Sequence, residues 1–113
     1  MISIYHNPRC RKSREGLALL EKSGKKFEVI KYVEDIPTYD ELRNIITILG
    51  ISVESLVRKN EIVWKEKFKG KSLSDEDILH AMIKYPVLIE RPIVVNGTKA
   101  VIGRPVDRIK TII

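Results

Sequence analysis

The sequence predicts an α/β domain built on a mixed four-stranded sheet, and three observations predict it. Residues 2–33 read strand, helix, strand; residues 34–84 carry helical periodicity; residues 93–102 read as a hairpin, followed by a last short helix. The order is β-α-β, a helical insert, then β-β-α. At 113 residues, 43% of them hydrophobic, the chain is expected to form one domain over 1–113, with the insert at about 34–84.

Each element has a local reason. Ile2 and Ile4 begin a short strand that ends at Asn7-Pro8. A helix follows from about Arg11 to Ser23, with Leu17, Ala18 and Leu20 facing inward and Gly24 as its stop. Phe27–Val33 is apolar and β-branched enough for a second strand, half or fully buried. A strand, a helix of this length and another strand predict parallel pairing with a right-handed crossover. Thr38-Tyr39-Asp40-Glu41 is a capping box, and Leu42, Ile45, Ile46 and Leu49 recur at helical spacing before Gly50. A short helix is expected over Ser52–Arg58 and a polar loop over Lys65–Lys71. Ser74-Asp75-Glu76-Asp77 opens a further helix, with Ile78, Ala81, Met82 and Tyr85 on one face and Pro86 as its end. Asn96-Gly97 predicts a tight primed turn between two antiparallel strands. Gly103-Arg104-Pro105 breaks the chain, and Val106–Ile113 closes it as a helix. This order suggests the thioredoxin-like fold, which sets Cys10 at the N-terminus of the first helix.

Cys10 is the one cysteine of the chain, and Arg9, Arg11, Lys12 and Arg14 surround it. Nearby positive charge favours the thiolate and lowers the pKa from its ordinary value of about 8.5. Unpaired amides and the helix dipole at that end act in the same direction, on thiolates and on bound oxyanions alike. The competing reading is a buried cysteine acting as a small apolar residue. Burial among so many charges would be costly, which argues for a reactive sulfur.

Spacing separates the possible chemistries. A phosphatase loop of the cysteine-x5-arginine type needs arginine at position 16, where Gly16 stands. A dithiol site needs Cys-x-x-Cys, but Ser13 holds the second position. Ser13 either bonds the thiolate or only fills the first helical turn. Arg58, Arg91 and Arg104 come from separate parts of the chain and could converge on one oxyanion, since a guanidinium donates in pairs. Spacing alone favours an ordinary surface arginine at each. In a thioredoxin-like fold a proline at the head of the third strand is typically cis and faces the cysteine, which makes Pro92 a candidate cis-proline.

Charge and composition exclude other classes. The net charge is +6, with residues 1–33 and 85–113 basic and 34–84 slightly acidic. Ends that fold together would make one positive region for an anionic ligand. Few aromatics and no basic repeat argue against nucleic acid as the substrate. One cysteine allows no internal disulfide, and no Cys/His set has zinc spacing, so no metal is expected. The N-terminus lacks a signal-peptide pattern, and no apolar run approaches the ~18 residues that span a bilayer. A soluble, cytoplasmic monomer is expected, without membrane association.

The motifs together resemble the glutaredoxin-coupled arsenate reductase family, which also contains redox regulators of transcription. The resemblance runs from Ile4 to the C-terminus. It is carried by Ile4-Tyr5-His6-Asn7-Pro8-Arg9-Cys10 with Ser13-Arg14, by Leu56-Val57-Arg58-Lys59-Asn60, by Glu90-Arg91-Pro92-Ile93-Val94-Val95, and by Ile102-Gly103-Arg104-Pro105. The resemblance implies that Cys10 attacks arsenate while Arg58, Arg91 and Arg104 hold the oxyanion. His6 and Ser13 would keep Cys10 ionised, although His6 serves equally as a structural contact to the loop. No bound cofactor is implied. Glutathione would be the cosubstrate and glutaredoxin the partner that releases arsenite and restores the thiol.

Arg11 and Lys12 depart from the small Gly-Thr of the best-known reductase, making the mouth of the site bulkier and more basic. Two alternatives stand beside the reductase. One is a thiol reductase or deglutathionylating enzyme acting on another substrate. The other is an RNA-polymerase-binding redox regulator, a branch that typically carries Cys-x-x-Cys.

Overall fold

The computed structural model describes residues 1–113. Four short strands, β1 (Ile2–Tyr5), β2 (Phe27–Ile30), β3 (Ile93–Asn96) and β4 (Lys99–Ile102), form one sheet in the order β2-β1-β3-β4. β1 runs parallel to β2 and antiparallel to β3, and β3 runs antiparallel to β4. The mixed sheet is the one expected. Ile4 pairs with Val29 on one side and Val94 on the other, so the register puts Ile2, Ile4, Val94 and Val101 on one face.

That face is covered by helix α1 (Arg11–Ser23) and by a closing 3₁₀ helix, Val106–Thr111. Leu20 and Ile109 are fully buried against Ile2, Ile4, Val94 and Val101. Burying side chains of this size contributes about 1.5–3 kcal/mol each. The inward face of α1 is Ser13, Gly16 and Leu20, with Leu17 half-buried; Ala18 is exposed, against expectation. Gly16 sits inward where Pro92 and Ile109 approach α1 closely.

The closest approach involves Pro92. A Cβ on Gly16 would lie 2.9 Å from Pro92 Cγ, and one on Gly103 would lie 2.9 Å from the same atom and 3.0 Å from Ile109 Cδ1. The proline ring is clamped by two glycines that have no side chain to withdraw. Gly103→Ala is expected to destabilise the protein by about 1–3 kcal/mol, the usual cost of overpacking. A urea midpoint unchanged from wild type would show that Pro92 and Ile109 yield freely.

The chain divides into two compact units, one of residues 1–35 and 91–113, the other of residues 36–90. The second unit carries the helical segment. It contains α2 (Tyr39–Leu49), α3 (Ile62–Lys67) and α4 (Asp75–Lys84). Both predicted N-caps are formed: Thr38 accepts from the Glu41 amide, Ser74 accepts from the Asp77 amide, and each acidic side chain reaches back to its cap amide. Leu42, Ile45 and Ile46 of α2 and Ile78, Leu79, Ala81 and Met82 of α4 are buried. An isolated antiparallel bridge joins Val57 to Ile89.

Several elements differ from expectation. The segment expected as a helix over Ser52–Arg58 is a 3₁₀ turn at Glu54–Leu56, and the closing helix is 3₁₀ rather than α. α3 occupies part of the expected loop. β2 stops at Ile30 because Glu34 and Asp35 turn back to donate to the Lys31 carbonyl. Asn96 pairs with Lys99, so the hairpin turn is Gly97-Thr98, with Gly97 at φ +63° and no other residue of the turn left-handed. That is the primed geometry with glycine at its first central position.

Candidate active site

Cys10 is the N-cap of α1, with φ −98° and ψ 122°, and the thiol is half-buried. Its own carbonyl accepts the first helical bond, from the Arg14 amide at 3.0 Å. The preceding loop is held by short-range bonds. Asn7 Oδ1 accepts from the Arg9 amide (3.0 Å), and the Asn7 carbonyl accepts from the Cys10 amide (3.0 Å). The Asn7 amide in turn donates to Ser13 Oγ (2.9 Å).

Ser13 is fully buried, and its hydroxyl also meets His6 Nδ1 at 2.6 Å. The hydroxyl is thus occupied behind the loop, tying His6 and Asn7 to the first turn of α1. His6 is itself buried, and its amide donates to the Ile30 carbonyl (2.8 Å). Burial lowers the His6 pKa below 6.5; the contact with Ser13 works against this, and Lys31 and Arg14 add to it. Burial thus favours the neutral imidazole.

The positive charge comes from arginines. Partial burial of the Cys10 thiol raises its pKa, but the hydrogen-bonded Arg91 guanidinium and the amides of Ser13 and Lys12 outweigh that and hold it below its ordinary value. The sulfur does not complete a side-chain cap of the kind Thr38 makes, yet the helix-end amides still act on it. Arg104 supplies a second guanidinium, with Nη2 3.5 Å from Sγ and Nε donating to the Arg91 carbonyl at 2.8 Å. Arg91 is buried, and the Arg91–Pro92 and Arg104–Pro105 peptide bonds are both cis. The second of these was not anticipated. The Gly103 amide donates to the Pro92 carbonyl at 2.8 Å, bringing the two Arg-Pro segments side by side.

Among the candidate residues, the structure therefore brings together Cys10, Arg91 and Arg104, with His6 and Ser13 behind the loop. Arg58 belongs to the second unit, where Nε meets Glu61 at 3.1 Å and Nη1 meets Glu90 at 2.8 Å. Burial lowers the Arg58 pKa, but the two carboxylates raise it further, for a net rise. Sequence reasoning passed over Asn7, whose position two residues before Arg9 in Asn-Pro-Arg is the available signal for an Asx turn. It used Gly16 only to exclude a phosphatase loop. No group of three or more His, Cys, Asp or Glu side chains lies together as a metal site. A thiolate flanked by two guanidiniums at a helix N-terminus can hold an oxyanion and attack its central atom.

Comparison with known proteins assigns this arrangement to a lineage. The model of the ArsC family matches residues 5–112. The chain belongs to the ArsC family. Its relatives include an uncharacterized protein, YfgD, of Escherichia coli (strain K12), 45% identical over 99% of this chain and 96% of that protein. An arsenate reductase of Neisseria meningitidis is 40% identical over 99% of this chain and 97% of its own length. Among solved structures, an arsenate reductase from Vibrio cholerae superposes with a TM-score of 0.95 at 46% identity, covering 99% of this chain and 97% of that one. ArsC membership bears out the resemblance read from the motifs. The α/β fold with its mixed sheet is the thioredoxin-like one shared by these ArsC structures. No helix is long and apolar enough to cross a membrane.

Proposed function

We propose that this protein is an arsenate reductase in which the Cys10 thiolate is the nucleophile and glutathione, with glutaredoxin, supplies the electrons. The observation that carries the reading is the pair of guanidiniums on the sulfur: Arg104 Nη2 lies 3.5 Å from Sγ, and Arg91 holds the thiol pKa down. Relatives at 40–46% identity over nearly the whole chain are arsenate reductases, which supports the choice of oxyanion.

The thiolate attacks arsenic, an As–S bond forms, and one oxygen leaves as water after protonation. Arg91 and Arg104 neutralise the charge that builds on the remaining oxygens, and Arg58 is proposed as a third ligand of the oxyanion. Glutathione then attacks the thiol-arsenate adduct. Glutaredoxin completes the exchange, releasing arsenite and the Cys10 thiol. Over the cycle two thiols become one disulfide as As(V) becomes As(III), so electrons and oxygen balance. An external donor is required because the chain has a single cysteine.

The test is NADPH oxidation dependent on arsenate, with glutathione, glutaredoxin and glutathione reductase as one arm and thioredoxin with its reductase as the other. Turnover in the first arm alone is expected. Equal turnover with thioredoxin would overturn the donor assignment. No turnover with either would overturn the reductase reading in favour of another thiol substrate.

A further inference from the structure

Arg58 is gripped by more negative charge than its own positive charge requires. Within the second unit, its Nε lies 3.1 Å from Glu61 Oε2 and its Nη1 lies 2.8 Å from Glu90 Oε1. The side chains of Arg58, Glu61 and Glu90 are 21%, 24% and 25% exposed, against 84% for Arg11 in its pair with Glu15. Partly buried pairs are screened less than surface pairs and hold their geometry better. The backbone builds the same frame. The Arg58 amide donates to the Leu88 carbonyl at 2.7 Å, the Glu90 amide to the Leu56 carbonyl at 2.9 Å, and the Glu61 amide to the Arg58 carbonyl at 3.2 Å.

Glu61 stands where a helix would not choose it. It is the N-cap of α3, glutamate lies outside the set of residues preferred there, and its carboxylate makes no bond to the helix. Thr38 and Ser74 do cap α2 and α4 with their side chains. The Glu61 carboxylate turns to Arg58 instead, and a local preference set aside for one specific partner is expected at a functional site. A guanidinium has five N–H donors, so the bonds to Glu61 and Glu90 leave donors for a further anion. One guanidinium against two carboxylates is formally one negative charge in excess, which weakens the pull on any anion. Directed N–H bonds remain.

We infer that Glu61 and Glu90 are positioning residues that hold the Arg58 fork in one orientation for an oxyanion and temper its attraction by cancelling its charge. Arg58 then recognises the oxyanion by hydrogen-bond geometry more than by charge. The inference rests on the reading of Arg58 as a third oxyanion ligand, and it names the groups that control that ligand.

Protection of Cys10 from iodoacetamide by sulfate, at fixed ionic strength, reads oxyanion affinity without turnover. Comparing each variant with and without sulfate cancels any change in thiol reactivity. Glu61→Gln keeps an accepting oxygen and removes the charge, so its half-protecting sulfate concentration is expected to fall about fivefold. Glu61→Ala removes the acceptor as well, and its value should lie about fivefold above that of Glu61→Gln. Glu90→Gln should shift in the same direction as Glu61→Gln. With arsenate as substrate, Glu61→Gln should lower KM more than it changes kcat. Protection in Glu61→Gln no tighter than in the wild type, or equal protection in Glu61→Ala and Glu61→Gln, would overturn the inference. Wild-type protection in Arg58→Ala would overturn it too, by removing Arg58 from the oxyanion, as would a wild type that sulfate leaves unprotected. If the wild type shows no arsenate turnover while the Glu61 series behaves as expected, the reductase reading fails and the positioning role stands.

Discussion

Cys10→Ser is expected to remove arsenate-dependent turnover by at least about a thousandfold while leaving the fold intact. The hydroxyl of serine ionises far above the range that two guanidiniums and a helix end can reach, so the same surroundings that yield a thiolate cannot yield an alkoxide. The N-cap position itself accepts serine readily, which is why loss of activity would not reflect loss of structure. The lowered Cys10 pKa has a direct signature in alkylation. The thiolate persists as pH falls, so iodoacetamide modification of the wild type should stay fast at a pH where free cysteine has slowed. Residual turnover in the serine variant would assign the chemistry to another group. An alkylation midpoint at or above that of free cysteine would remove the activated thiolate.

The second large effect falls on Arg91. Its guanidinium is the strongest influence drawing the Cys10 pKa down, and its side chain is buried. Arg91→Ala should raise the alkylation midpoint and cut kcat/KM for arsenate by about 10²–10³, the range for losing one donor to a developing oxyanion. The fold should survive, because the bond that orders its neighbour uses the Arg91 carbonyl, which accepts from Arg104 Nε whatever side chain stands there. Arg91→Lys should recover part of the thiol shift and less of the turnover, since an ammonium cannot donate as a planar fork. A variant with wild-type alkylation behaviour would leave the thiolate to Arg104 and the helix end alone.

What could be read beforehand was what local chemistry determines. α1 lies between a thiol N-cap and Gly24, both capping boxes depend on residues three apart, and the hairpin announces itself in Asn96-Gly97; each signal sits within a few residues of its effect. The short elements escaped because their stability is tertiary. Ile62–Lys67 is six residues long and begins with two β-branched side chains, so propensity gave no warning of a helix that buries Trp64. The clamp on Pro92 escaped for another reason: its parts are Gly16, Gly103 and Ile109, which only the fold brings together. At the candidate site, Cys10 and the arginines could be nominated from residue type and motif. The fate of the Ser13 hydroxyl could not, since its partners His6 and Asn7 lie on the strand side of the loop.

That hydroxyl bears on how the molecule could evolve. A chain with Cys-x-x-Ser stands one substitution from a self-resolving dithiol, yet position 13 is walled off from solvent, and its oxygen holds the His6 ring and the Asn7 amide together. A thiol there would be larger, a weaker hydrogen-bond partner, and closed to incoming reagents. Gaining a second sulfur there would mean loosening the loop that carries Cys10. On the proposed mechanism, the need for an external electron donor would follow from the wall behind Cys10 as much as from the cysteine count.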